Sequence, residues 1–260
     1  MNIHFYKYRG TGNDFVIMDN RTGAYNELTT EQVHFLCDRR FGVGGDGLML
    51  LNNHPGYDFE MKYYNADGKP GSMCGNGGRC LTAFAKQMGI PGEKVSFIAS
   101  DGPHEAIFRE NGWVELKMQD VSWVEAGPMY FYLNTGSPHF VKPVADVQAV
   151  DVFGEGRGIR YNERFAAVGT NVNFVQQLDK GIFVRTYERG VEDETFSCGT
   201  GVTAAALTAA GPELKEYVIP VQTLGGPLEV RFTKSDERAF HDIWLCGPAT
   251  LVFEGDIKIQ

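Results

Sequence analysis

Two stretches of this chain share one pattern, and that repetition limits its fold more than any other feature. Met73 to Ala85 reads MCGNGGRCLTAFA, and Ser197 to Ala210 reads SCGTGVTAAALTAA. In each, a cysteine is followed by Gly-x-Gly and then by small or apolar residues that favour helix. Cys74 and Cys198 are therefore expected at or just before a helix N-terminus. That position changes thiol chemistry. Free amide N–H groups and the positive end of the helix dipole stabilise a thiolate, and the same donors can hold a carboxylate.

Cys198 lies 124 positions after Cys74, and the same offset relates other loops. It carries Thr11-Gly12-Asn13 onto Thr135-Gly136-Ser137, Gly47 onto Asn171, and Asn65 onto Arg189. Chance recurrence of Cys-Gly-x-Gly in a chain with 32 glycines would not bring the other loops into one register. Internal duplication accounts for it. The expectation is two similar α/β domains related by a pseudo-twofold axis, a geometry that can point both cysteines at one cleft.

The order of local signals repeats too. IHFYKYRG alternates as a half-buried strand, runs into the loop GTGNDF and is followed by the strand VIMD. TTEQVHFLCDRR reads as a helix with Thr29 as N-cap candidate and a glutamate close behind. The turn FGVGGDG enters the strand LMLL, and FEMKYYN ends at the turn NADGKPG, which delivers the backbone to Cys74. KVSFIA, HEAIFRE and WVELKM then form a meander, and SWVEAGPMYFYLNTGSPHF begins again without a low-complexity linker. The first half is placed at residues 1–120 and the second at 121–249. The glycine turn lacks GKS or GKT and any GxGxxG before a helix, which excludes the common phosphate-binding loops.

The formal net charge of −9 excludes a surface built for nucleic acid or anionic membrane, since both need a concentrated positive field. No run of eighteen apolar residues is present, and MNIHFYKYRG lacks the features of a secretory signal, so a cytoplasmic protein is expected. Five cysteines, an odd number, fit reduced thiols rather than a disulfide framework. Cys37, Cys80 and Cys246 lie among apolar neighbours and are expected to pack.

A pair of thiols admits several chemistries. A zinc site needs three or four ligands, and neither cysteine has a CxxC or HxxxH neighbour, so no metal is expected. The two-residue spacing of a thioredoxin-like centre is absent, and a cysteine hydrolase has no reason to duplicate its nucleophile's surroundings. Inversion of a stereocentre does have that reason. One base removes the α-proton from one face while an acid delivers a proton to the other. The helix-start amides hold the α-carboxylate and the charge that develops on deprotonation. The residues thus point to amino-acid racemisation or epimerisation without a cofactor, and no lysine sits in a context that asks for pyridoxal phosphate.

The segment NADGKPGSMCGNGGRC resembles the signature of diaminopimelate epimerases. So do GTGNDF, GSPH at Gly136 to His139, GTNVNFV, YERGVEDETFSCGTG and GPATLVFEG, in order over nearly the whole chain. The resemblance implies two α/β domains, each a curled mixed sheet around a central helix, with the last strand, about 250–260, returning to the first domain. It implies a homodimer that interconverts LL- and meso-diaminopimelate with no cofactor. Cys74 and Cys198 would be the acid/base thiols. The amides of Gly75, Asn76, Gly199 and Thr200 would hold the reacting carboxylate. Asn13, Asn65, Asn171 and Arg189 match positions that grip the substrate, with Arg189 the natural partner of the distant carboxylate. Glu188 and His139 match groups near the thiols, placed to tune them or to hold the α-ammonium. The chain departs from the family's common residues at Gly47 (glutamine), Ser137 (asparagine), Lys69 (serine) and Arg9 (histidine), and the first two bear on the far end of the substrate. Two alternatives remain: a related racemase for another amino acid such as proline or histidine, and a non-catalytic binding protein of the same fold. Arg189 with Asn65 and Asn171 favours a substrate bearing a second charged end, since an apolar one would leave the arginine unpaired.

Overall fold

The computed structural model describes residues 1–71 and 73–259. The chain divides into two compact units, Met1–Leu116 with Gly247–Gln260, and Lys117–Cys246. In the first unit, β1 (Asn2–Gly10) and β2 (Asn13–Asp19) form an antiparallel hairpin. Its two turn residues, Thr11 and Gly12, both have positive φ, 48° and 93°. This is the mirror-image turn whose twist matches that of paired strands, and it sets Asn13 as the first residue of β2.

After β2 come α1 (Thr30–Cys37), β3 (Gly47–Asn52), β4 (Phe59–Asn65) and α2 (Gly75–Gln87). Thr29 caps α1 as expected, but the capping box closes with Gln32, whose side chain reaches back to the Thr29 N–H. β3 runs parallel to β2 and antiparallel to β4. β4 is parallel to β5 (Lys94–Ala99), which continues through β6 (Gly102–Phe108) to β7 (Trp113–Lys117) as a meander.

The two helices cover opposite faces of this sheet. Val33 and Leu36 of α1 pack with Ile3, Val16, Leu48 and Leu50, while Met49 on the other face of β3 approaches Gly77 of α2. All six residues of β3 are buried as a result, which is why its sequence is a continuous apolar run rather than an alternation. Helix α2 is buried without interruption from Asn76 to Ala85 and touches β1, β2, β3, β4 and β6, so the sheet curls around it. Each fully buried side chain such as Leu81 or Phe84 contributes roughly 1.5–3 kcal/mol.

The second unit repeats this plan. It comprises β8 (Val124–Ala126), β9 (Phe131–Asn134), β10 (Pro138–Pro143), α3 (Val152–Arg160), β11 (Asn171–Gln177) and β12 (Ile182–Glu188). β13 (Asp193–Thr195), α4 (Gly199–Thr208), β14 (Glu216–Thr223), β15 (Gly226–Lys234) and β16 (Phe240–Pro248) follow. Phe15 pairs with Gly47 in the first unit and His139 with Asn171 in the second, the same parallel register at the same offset. The central helix here is α4, where Val202, Ala204, Ala205, Ala206 and Leu207 pack in one core with Val184, Leu228 and Val230. Val152 of α3 joins Val172, Phe174 and Tyr187 on the other face of the sheet. The last strand, β17 (Thr250–Lys258), returns to the first unit and pairs antiparallel with β1, from Asn2 opposite Lys258 to Arg9 opposite Thr250. Among the described residues no helix is long and apolar enough to cross a membrane.

Candidate active site

Cys74 is the N-cap residue of α2 and Cys198 the N-cap residue of α4, as their sequences predict. Their backbones match: φ −112° and ψ 126° at Cys74, φ −113° and ψ 112° at Cys198. Each carbonyl accepts the first helical hydrogen bond, from Gly78 N–H at 2.7 Å and from Val202 N–H at 2.8 Å. The amides of residues 75–77 and 199–201 precede that first bond, so helix geometry gives them no carbonyl inside their own helix. Neither cysteine side chain caps its helix, and Cys198 Sγ lies 3.5 Å from Thr200 Oγ1. The other three cysteines are buried, as expected of packing residues, and burial pushes the Cys37 and Cys80 thiols up to about 12. Those thiols stay protonated.

In the first unit the turn Thr11-Gly12 brings Asn13 against the start of α2, where its Oδ1 accepts from Asn76 Nδ2 at 2.7 Å. Asn65 is exposed at the end of β4, at the head of a turn closed by Asn65 N–H to the Lys69 carbonyl and Gly68 N–H to the Asn65 carbonyl. The departure at Gly47 has a physical cause. A Cβ there would lie 2.5 Å from both the Tyr63 ring and the Tyr64 carbonyl oxygen, and one at Gly71 would lie 2.4 Å from the same ring. Tyr63 thus occupies the space that a longer side chain at position 47 would need.

In the second unit His139, wholly buried on β10, is held by Asn173 on β11. Asn173 Nδ2 lies 3.0 Å from His139 Nδ1 and also donates to the Phe140 carbonyl, while its Oδ1 accepts from Thr186 Oγ1. The carbonyl partner identifies the amide nitrogen of Asn173, so His139 Nδ1 must accept and the ring proton sits on Nε2. Burial drives the His139 pKa down to about 3, with the Arg189 charge adding to the effect and the Asn173 hydrogen bond opposing it. This ring is a neutral N–H donor. Glu188, at the end of β12, has its carboxyl pKa raised by burial, against a hydrogen bond from Thr195 Oγ1 at 2.9 Å.

The buried imidazole has a consequence for stability. Its pKa is depressed in the fold, so its contribution is fully present above about 6.5, the unfolded value, and is lost as pH falls toward 3. At pH 5 the loss should be about 2 kcal/mol. Urea unfolding at pH 7 and pH 5 should show a smaller acid-induced drop in His139→Gln than in the parent. Equal drops would place the acid sensitivity elsewhere.

Asn171, on β11, is tied to its own unit by both ends of its side-chain amide. Its Nδ2 donates to Ser137 Oγ at 2.8 Å and to the Pro138 carbonyl at 3.0 Å, and its Oδ1 accepts from Arg189 N–H at 2.9 Å. Both amide hydrogens are spent within the unit, and the side chain fixes the backbone that carries Arg189. Arg189 Nη1 donates to the Val168 carbonyl. Asp46, Arg79 and Asn173, which hold Asn13, Asn76 and His139, are not apparent from the sequence motifs. The available signals are spacing: Arg79 is three residues after Asn76 on one helix face, and Asn173 two after Asn171 on one strand face.

Solved structures share this fold. A phenazine biosynthesis protein of the PhzF family from Bacillus anthracis superposes with a TM-score of 0.76 at 15% identity, covering 100% of both chains. A probable proline racemase from Agrobacterium radiobacter superposes at 0.66 with 18% identity, over 99% of this chain and 93% of that one. Duplicated α+β units are the fold they share; in this chain each unit carries a cysteine at the start of its buried helix. The family model for diaminopimelate epimerase matches residues 5–124 and 131–252. Diaminopimelate epimerases from Flavobacterium psychrophilum and Chlorobaculum tepidum are 48% and 42% identical, over 98% and 96% of this chain and 100% and 99% of theirs. This chain belongs to the diaminopimelate epimerase family.

Proposed function

We propose that this protein interconverts LL- and meso-diaminopimelate without a cofactor, with Cys74 and Cys198 as its two acid/base groups. The observation that carries the reading is the duplicated cysteine geometry, an extended N-cap thiol followed by helix-start amides in both units. One thiolate takes the α-proton while the other thiol gives a proton to the opposite face. The amides of Gly75 and Asn76, and of Gly199 and Thr200, hold the α-carboxylate and the negative charge that grows on it. Arg189 pairs the distant carboxylate, with Asn13 and Asn65 as further polar contacts and Asn171 holding the Arg189 backbone. In the second unit His139 supplies a neutral N–H, and Glu188 a carboxyl whose pKa burial raises.

The reading includes a cytoplasmic homodimer. Support for self-association comes from β17, where Leu251, Val252 and Phe253 are exposed in succession on a strand laddered to β1.

The test is loss of the α-proton signal in deuterated water, with diaminopimelate and a panel of L-amino acids. Exchange confined to diaminopimelate is expected. Exchange with proline or another amino acid instead would name a different racemase, and none at all would overturn catalysis.

A further inference from the structure

We infer that Asp46 and Arg79 are positioning residues that set the direction of the Asn13 and Asn76 amides from opposite ends of one hydrogen-bonded relay. The inference rests on the proposed role of Asn13 in holding substrate.

The relay begins at a cation. Arg79, wholly buried in α2, donates from Nη2 to Asn76 Oδ1 at 2.8 Å and to Thr11 Oγ1 at 2.9 Å. With its oxygen so engaged, Asn76 turns its Nδ2 to Asn13 Oδ1 at 2.7 Å. Asn13 in turn presents Nδ2 to Asp46 Oδ2 at 2.8 Å. The relay ends at that anion, which is itself fixed: Asp46 Oδ2 also accepts the Asp14 N–H at 3.3 Å, and Oδ1 accepts from Arg39 at 2.8 Å. Arg39 also grips Asp14 through both of its carboxylate oxygens, and Lys7 lies 2.6 Å from the same carboxylate.

Every hydrogen bond from Arg79 to Asp46 runs the same way, donor to acceptor. Turning either amide by half a rotation would set an NH₂ against a donor at one end and an oxygen against an oxygen at the other. A bare amide pair has no such preference, so the direction comes from the charges at the two ends. Asn13 is left with one N–H and one carbonyl lone pair for a ligand, already oriented when substrate arrives. Pre-orientation of this kind removes an ordering cost from binding and acts on KM before it acts on the proton transfer.

The experiment is a double-mutant cycle on Asp46→Ala and Asn13→Ala, read as kcat and KM for diaminopimelate epimerisation with urea unfolding in parallel. Asp46 is partly exposed, so its replacement is suited to folding. In the parent, Asp46→Ala should raise KM about tenfold with kcat changed less than about twofold. In the Asn13→Ala background it should add nothing, because the amide it directs is gone. An equal rise in both backgrounds, or none in the parent, overturns the relay. An unchanged KM in Asn13→Ala alone would instead overturn the binding role of Asn13, which is a separate failure. Because Arg79→Met removes a buried charge and threatens folding, Arg79→Lys serves at that end. It keeps the charge, loses the fork, and should shift KM in the same direction.

Discussion

Replacing Cys74 by alanine should abolish epimerisation, and so should replacing Cys198; the expected fall in turnover for each is about 10³-fold or more. A general acid/base group accounts for that scale when nothing else in reach can carry the proton. Each variant should nonetheless retain one half of the chemistry. With one thiol left, deuterium from solvent should enter the stereoisomer whose α-proton faces that thiol, without inversion, and the two variants should differ in which isomer exchanges. Stability should change little at Cys74, because its side chain makes no capping bond to α2 and the position is only half-buried. The measurement is α-proton wash-out by NMR, starting separately from LL- and meso-diaminopimelate. Full epimerisation by either variant rules out the two-thiol scheme.

The second large effect is expected at Gly201, in the first turn of α4. Alanine is the better helix former by about 1 kcal/mol, so local propensity alone says the substitution should help. Packing reverses the sign. A Cβ at Gly201 would lie 2.2 Å from Asn173 Oδ1 and 3.3 Å from His139 Cε1. Asn173 cannot swing aside without breaking its bonds to His139, Phe140 and Thr186, all inside the unit. Gly201→Ala should therefore cost about 3 kcal/mol in urea unfolding, the upper range for an overpacked site. It should also lower turnover about 10²-fold, because α4 must retreat and carry the Cys198 thiol and its amides with it. The control is Gly158→Ala in α3, where no atom lies within 4 Å of the new Cβ; there propensity should win and the protein should gain stability. A Gly201→Ala protein as stable and active as the parent would show that the start of α4 has slack.

These contrasts mark where the sequence is readable. The cysteine stretches were legible because a helix N-terminus has a local signature, and the 124-residue offset carried that signature from one half to the other. It carried even the strand register, as the pairs Phe15–Gly47 and His139–Asn171 show. Helix α3 left no such trace. Its sequence VFGEGRGIR holds three glycines, and it forms because Asp151 caps it and because Gly156 lets the Tyr187 side chain lie against its backbone. The amide directions in the site were likewise hidden. Asn13, Asp46, Asn76 and Arg79 meet only once β2, the loop before β3 and α2 are assembled, and no spacing rule links residue 13 to residue 76. The Asn171 amide contacts to Ser137 and Pro138 were hidden in the same way. The chemistry of a side chain is local, but what remains of it for a ligand depends on its neighbours in space.

The pairing of β17 with β1 bears on how the polypeptide matures during synthesis. The unit spanning Lys117–Cys246 is continuous, so all of its chain is translated before the final strand. The other unit starts first and finishes last. Its opening strand waits for residues near Lys258, and until they emerge the nascent edge of β1 is a place where chaperones would be expected to bind.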